Sequence, residues 1–382
     1  FEGQPLVKAR LMATMGDVYT KLGLFEEARP LLDEGLAIRE TELSPDDPDV
    51  AAGLTGVAFV LKSTGDYEGA LPLYERALAI REKTLGREHP DVAASLSNLA
   101  SLHSDIGDFT GARERLERGL AIQEKNLGPD HTEVATILLG LARVDLAIGD
   151  LAAARSWIER AIAIRERELG PDHPDLALPL GNLAIVLAQT DDLPGAVRLL
   201  ERVIPIEEEA FGPDHPRVAL TLHNLANVHG MAGDYEEARP LEERALAIRQ
   251  KALGPDHPRV AQCLIGLGIF GRETGDYAVA RSHFESAQAI LEGALGPDHS
   301  SVALCMVNLA ELLFLTEDWQ DARPLMERVV AIREELYGPE HSYMANDYEK
   351  LARVLRELGE EQEAKKLEAR ANAIREKEEA AE

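Results

Sequence analysis

Aromatic residues make up only 5% of this 382-residue chain. Any core must be built from aliphatic side chains, and the 45% hydrophobic content supplies them, mostly as Leu and Ala. Cysteine occurs twice, at Cys263 and Cys305. Too few thiols are present for a disulfide-stapled fold, and unpaired thiols point to a reducing, cytoplasmic location. Basic residues are scarce: 40 Lys and Arg face 68 Asp and Glu, a formal net charge of −28. Such a chain repels polyanions, and no basic stripe offsets the repulsion, so nucleic acid is excluded as a partner. No apolar run reaches the ~20 residues of a membrane-spanning helix, and no signal peptide is visible. A P-loop, an H-E-x-x-H zinc motif and a G-x-S-x-G elbow are also missing. No enzyme, cofactor or metal ion is therefore expected.

What the chain has instead is a period. "LGPDHPRVA" at Leu253 returns as "LGREHPDVA" from Leu85, "LGPDHTEVA" from Leu127, "LGPDHPDLA" from Leu169, "FGPDHPRVA" from Phe211, "LGPDHSSVA" from Leu295 and "YGPEHSYMA" from Tyr337. Each step is 42 residues. Cys263 and Cys305 occupy one slot of neighbouring repeats, and helices packed about 8–10 Å apart hold such a pair too far apart for a disulfide. A fixed period overrides the two or three domains that the length alone suggests.

Each unit reads as two helices. In Asp91–Gly128 the first helix puts Leu96, Leu99, Ala100 and His103 on one face. Gly107 breaks it, Asp108 caps the second helix, and Gly128 stops that helix before the next proline. One second-helix slot is Ala in all nine units, from Ala28 to Ala364. A first-helix slot is Ala from Ala9 to Ala345, and a third is Gly or Ala from Gly16 to Ala352. Small residues at fixed points let helices approach closely.

The pattern resembles the tetratricopeptide repeat in the long 42-residue form of kinesin light chains and many bacterial proteins, with Val218–Ala261 close to consensus. The resemblance implies an all-α fold: a right-handed alpha-alpha superhelical solenoid of about nine helix pairs forming one domain over residues 1–382. The repeats run at 1–43, 44–85, 86–127, 128–169, 170–211, 212–253, 254–295 and 296–337, with a capping unit at 338–382. Glu361 replaces the aromatic of Phe25, Tyr67, Phe109 and Trp319 in that last, charge-rich unit, as a solvent-facing cap requires. The opening, Gly3–Leu32, resembles the first repeat after the kinase domain of some bacterial Ser/Thr kinases. The chain starts at Phe1, already in phase, so it is expected to be part of a longer protein.

Seven histidines, His89, His131, His173, His215, His257, His299 and His341, share one slot. A turn-and-cap role explains every copy, whereas catalysis or metal ligation explains at most one. "GLGIFG" at Gly266–Gly271 has the G-x-G-x-x-G spacing but lies in a helix with no strand before it, so it is not a dinucleotide loop.

Function is expected where the repeat varies. In the family, a first-helix stripe lines the concave face. Here it includes Leu139 and Arg143, Ile185, Asn227, Ile265, Ile269 and Arg272, then Val307 and Phe314. The family's peptide-binding members hold a backbone with a polar residue before the fixed Leu. This chain has Asn98, Asn182, Asn224 and Asn308 there, interrupted by Gly56, Gly140 and Gly266. The resulting expectation is a scaffold that binds a protein or peptide segment. Apolar anchors sit near Ile265, Ile269, Val307 and Phe314, and Arg272 pairs a carboxylate. The rival readings are the regulatory arm of a larger signalling enzyme such as a kinase, and an oligomerisation spacer in which a second copy covers the apolar residues.

Overall fold

The computed structural model describes residues 3–379. All regular elements among them are helices. In order they are α1 (Pro5–Lys21), α2 (Phe25–Glu42), α3 (Pro48–Ser63), α4 (Tyr67–Leu85), α5 (Pro90–Asp105), α6 (Phe109–Leu127), α7 (Thr132–Ile148), α8 (Leu151–Leu169) and α9 (Ala177–Gln189). They continue with α10 (Leu193–Phe211), α11 (Pro216–Ala232), α12 (Tyr235–Leu253), α13 (Pro258–Thr274), α14 (Tyr277–Leu295), α15 (Ser300–Leu315), α16 (Trp319–Tyr337), α17 (Ser342–Glu357) and α18 (Glu361–Glu379). A 3₁₀ turn, Pro174–Leu176, leads into α9. The chain divides into two compact units, residues 1–186 and 187–382, with the division falling within α9. Apart from α9, each odd-numbered helix packs on the even-numbered helix that follows it, and that helix on the next odd one.

The invariant small residues explain this packing. Ala28, Ala70, Ala112, Ala154, Ala196, Ala238, Ala280, Ala322 and Ala364 are all wholly buried. A methyl group is all the space between helices admits there. Larger apolar residues fill the adjoining space, such as Leu99 and Leu116 in the first unit and Phe284 and Met326 in the second. Even α18, mostly charged, buries Ala364, Ala371 and Ile374.

The long helix of most pairs ends at one glycine. Gly86, Gly128, Gly170, Gly212, Gly254, Gly296 and Gly338 have φ between 85° and 91°. Their ψ lies between 152° and 159°. That corner of backbone space is essentially closed to residues with a Cβ. The short turn inside each pair also takes a positive φ, at Gly23, Gly65, Gly107, Gly149, Gly233, Gly275 and Gly359. In two pairs the same slot is filled by Asp191 (φ 65°) and Glu317 (φ 55°).

Candidate functional site

The recurrent Asp–His pair is a joint. His89, His131, His173, His215, His257, His299 and His341 each occupy the N-cap position of the helix they precede. In each, Nδ1 accepts the backbone N–H two residues on, as at His257, where Arg259 donates over 3.1 Å. Asp47 does the same through a carboxylate oxygen, accepting from Asp49 at 2.8 Å. The imidazole is an N-cap acceptor here, satisfying a helix N–H that would otherwise lack a partner. Asp108 accepts from Gly111 N at 2.9 Å and from the His103 ring, at 2.6 Å. The Gly111 N–H first, and then the His103 hydrogen bond, hold the Asp108 carboxyl below the usual carboxylate range.

The glycines of "GLGIFG" likewise have packing roles within α13. A Cβ at Gly268 would stand 2.6 Å from Phe284 Cε1, one at Gly266 3.3 Å from the Glu242 carboxylate carbon, and one at Gly271 3.2 Å from Ala280 Cβ.

The first-helix stripe divides into covered and presented residues. In the first unit Leu139 is half-buried beside Val134, Ala135 and Leu138. Arg143 is exposed and approaches Asp105 at 3.8 Å and the Ser101 hydroxyl at 3.4 Å. Lys62 reaches the same two residues, at 3.1 Å and 2.8 Å. Asn98 is half-buried and lines a recess of about 450 Å³ with Thr55, Gly56, Phe59 and Arg81. Phe59 there is 44% exposed, and Ile185, above half-buried Asn182, is 43% exposed.

In the second unit Asn224 is half-buried, and exposed Asn227 lies 3.2 Å from His223 Nε2. Asn308 turns its amide back to the Leu304 carbonyl at 3.0 Å. Ile265 and Ile269 are half-buried against the core. Two expected anchors need correction. Val307 and Phe314 are each only 8% exposed, because α16 and α17 cover them. Phe314 stacks on Trp319 with ring centroids 5.5 Å apart, and the Arg353 guanidinium lies over both rings, at 5.4 Å and 5.3 Å. Arg272 is also corrected as a docking cation: it is already paired with Glu311 at 2.7 Å and Glu273 at 2.9 Å. Lys350 takes the other Glu311 oxygen at 2.5 Å. These residues, with Leu315, Asn346, Glu349 and Arg353, line a recess of about 500 Å³. Arg353 is exposed and, among the described residues, its guanidinium has no carboxylate partner.

One polar group escaped the sequence reading. Glu242 of α12 is wholly buried. His223 Nδ1 lies 2.7 Å from one of its oxygens, while the other, Oε2, has no hydrogen-bond partner. Cys263 of α13 completes a cluster whose three ligand-type atoms lie within 4.8 Å of one another. Buried Arg249 donates to the sulfur at 3.3 Å. Burial, reinforced by the Glu242 charge, pushes the Cys263 thiol well above its usual range, against the pull of Arg249. A signal was present: the slot of Glu242 holds Leu32, Tyr74, Leu116, Ile158, Leu200, Phe284 and Met326 in seven other repeats, and glutamate again, Glu368, only in the charged last one. Both cysteines are free and buried. None of the described helices is long and apolar enough to cross a membrane.

The tetratricopeptide-repeat family model matches in overlapping windows from residue 8 to residue 377: 8–83, 49–125, 91–167, 133–209, 180–251, 241–293, 267–335 and 301–377. No curated protein matches. Among solved structures, repeats of a putative kinesin light chain from Podosopora anserina are 31% identical, covering 53% of this chain and 96% of that one, with a TM-score of 0.49. BtubC (BKLC) from P. vanneervenii is 24% identical over 64% of this chain and 92% of its own, with a TM-score of 0.51. The apo form of RapI shares the fold at 14% identity, covering 97% of this chain and 98% of that one, with a TM-score of 0.70. With helix pairs, caps and close-packed alanines all at a 42-residue step, the chain belongs to the tetratricopeptide-repeat family.

Proposed function

We propose that the chain is a non-catalytic scaffold that binds a segment of another protein along the face formed by its odd-numbered helices. The tetratricopeptide-repeat fold is typical of protein–protein interaction scaffolds. The observation that carries the reading is a recess on this face in each unit. One presents the exposed ring of Phe59, and the other presents Arg353 without a carboxylate partner. Each recess by itself sets apolar surface beside a cation, Phe59 with Lys21 in one and Leu315 with Arg353 in the other, and so suits a short segment carrying a hydrophobic side chain and a carboxylate. Arg353 takes the role first expected of Arg272, and Phe59 and Ile185 take that of Val307 and Phe314.

Selection of displayed random peptides on the immobilised full chain tests this. Enriched peptides are expected to combine acidic and bulky apolar residues. Phe59→Asp or Arg353→Glu weakens their binding at least tenfold while the circular dichroism spectrum is unchanged. If no peptides are enriched, or if both variants bind them as tightly as the parent, the proposal fails.

A further inference from the structure

Buried polar side chains in a repeat fold either recur as part of the scaffold or stand out from it. The pairing of Arg81 with Ser95, Glu207 with Thr221 and Arg333 with Asp347 recurs, because each joins the same two slots on successive helices. Arg249 and Cys263 occupy those slots too. Glu242 and His223 do not belong to that series. At the slot of His223 other repeats carry Thr55, Ser97, Leu139, Gly181, Ile265, Val307 or Glu349. At the slot of Glu242 they carry the large apolar residues named above, except Glu368 in the charge-rich last repeat. Three separate helices, α11, α12 and α13, thus bring an imidazole, a carboxylate and a thiol together, the carboxylate in a slot that most repeats fill with a large apolar side chain.

From this geometry we infer that His223 Nδ1, Glu242 and Cys263 Sγ bind a thiophilic divalent cation, with zinc(II) as the best fit. The donor set argues for it: one nitrogen, one carboxylate oxygen and one sulfur form a ligand combination of zinc rather than of magnesium or calcium. The unsatisfied atom argues for it as well. Glu242 Oε2 is buried with no hydrogen-bond partner, and a buried carboxylate oxygen is left so only at a penalty that a bound cation removes. Zinc–ligand distances of about 2.0–2.3 Å set neighbouring donors roughly 3.3–3.8 Å apart. The three atoms already lie within 4.8 Å of one another, so side-chain rotations of about an ångström suffice.

The cation takes the place of the proton between His223 Nδ1 and Glu242, now 2.7 Å apart; the imidazole then carries its proton on Nε2, and the thiol proton of Cys263 leaves to solvent. Arg249 stays on the sulfur as a hydrogen-bond donor, and the Asn227 amide turns so that its Oδ1 accepts from the imidazole Nε2–H, as groups behind metal ligands do. The partly exposed edge of His223 leaves room for water as a fourth ligand. Among the described residues no other group of three His, Cys, Asp or Glu side chains has this geometry. Cys305, one repeat on, has Phe284 and Ile265 in the corresponding slots and donates to the Phe284 carbonyl at 3.3 Å, so it serves as an internal control.

The test uses the metal-free full chain. One equivalent of cobalt(II) should produce a thiolate-to-cobalt charge-transfer band in the near ultraviolet. The band should disappear in Cys263→Ser and persist in Cys305→Ser. Zinc(II) should displace the cobalt and raise the thermal midpoint of the parent chain by on the order of 5 °C at saturating metal. It should leave Glu242→Leu unmoved, a variant that restores the residue Leu32, Leu116 and Leu200 provide elsewhere. Absence of both the band and the midpoint shift in the parent chain overturns the inference. So does a band that survives in Cys263→Ser.

Discussion

Adding one methyl group at Gly268 puts the packing logic to a quantitative test. The Cβ of Gly268→Ala would stand 2.6 Å from Phe284 Cε1 and 2.8 Å from both Cδ1 and Cζ, well inside van der Waals contact. Helix propensity alone favours Ala over Gly by about 1 kcal/mol. Overpacking a close-fitting core costs about 1–3 kcal/mol. The ring has some freedom to turn, since Tyr74 shares its repeat with Ala58 in these two slots. A net loss of about 1 kcal/mol is therefore expected. Phe284→Leu alone should cost about 1–2 kcal/mol through the void it leaves. Together the two changes recreate the Ala100 and Leu116 pairing of an earlier repeat, and the added methyl fills part of the void. The double variant should be about as stable as Phe284→Leu alone, a coupling of roughly 1 kcal/mol or more in its favour. Urea denaturation followed by circular dichroism on the four proteins measures it. If the two effects add to within about 0.5 kcal/mol, or if Gly268→Ala is stabilising by itself, the contact is not what fixes glycine at this position.

Two further outcomes follow from backbone and charge. Glu317 holds φ 55° where seven other pairs have glycine, so Glu317→Gly should stabilise the chain by about 1 kcal/mol in thermal denaturation. Asp191→Gly should do so by less, because aspartate tolerates that region better. Burial holds the Glu207 carboxyl above the usual carboxylate range, against the hydrogen bond it accepts from Thr221. The folded state therefore keeps this proton more tightly than the unfolded state, and stability falls as pH rises from the unfolded towards the folded value. Glu207→Gln should be the more stable protein at neutral pH and lose that advantage in acid, where both side chains are neutral. Denaturation midpoints compared at the two pH values would show it.

Features that recur were legible before the fold was known. The His and Asp caps, the glycine stops and the wholly buried alanines each show a physical requirement repeated at a fixed interval. The same requirement imposed at every joint leaves the same residue at every joint. The candidate surface was harder to read. Helix phase places Phe59 and Phe314 at closely related positions, but it does not say what the next helix brings over them. Trp319 and Arg353 cover Phe314, while Phe59 stays open. Arg272 looked like a spare cation because Glu311 lies 39 residues on, a distance at which no local pattern reveals pairing. Glu242 was hidden for a different cause. It sits among charged residues in "PLEERALAI", and only alignment with the other repeats shows that its slot points into the core.

From Gly86 onward the core of the seam at each 42-residue step is its own short stretch of chain: a glycine of positive φ, then an imidazole holding the first free N–H of the following helix. The contacts between seams repeat in phase as well: Lys83 meets Asp46, Lys125 meets Glu88 and Lys251 meets Asp214, each 37 residues back. An exact excision such as residues 86–127 would thus rejoin Leu85 to Gly128 and reproduce a junction the protein already uses, whereas a cut of 41 or 43 residues would throw every later alanine out of its notch. The array is in this sense editable in whole units, so its length can change by duplication or loss without any new joint having to be invented.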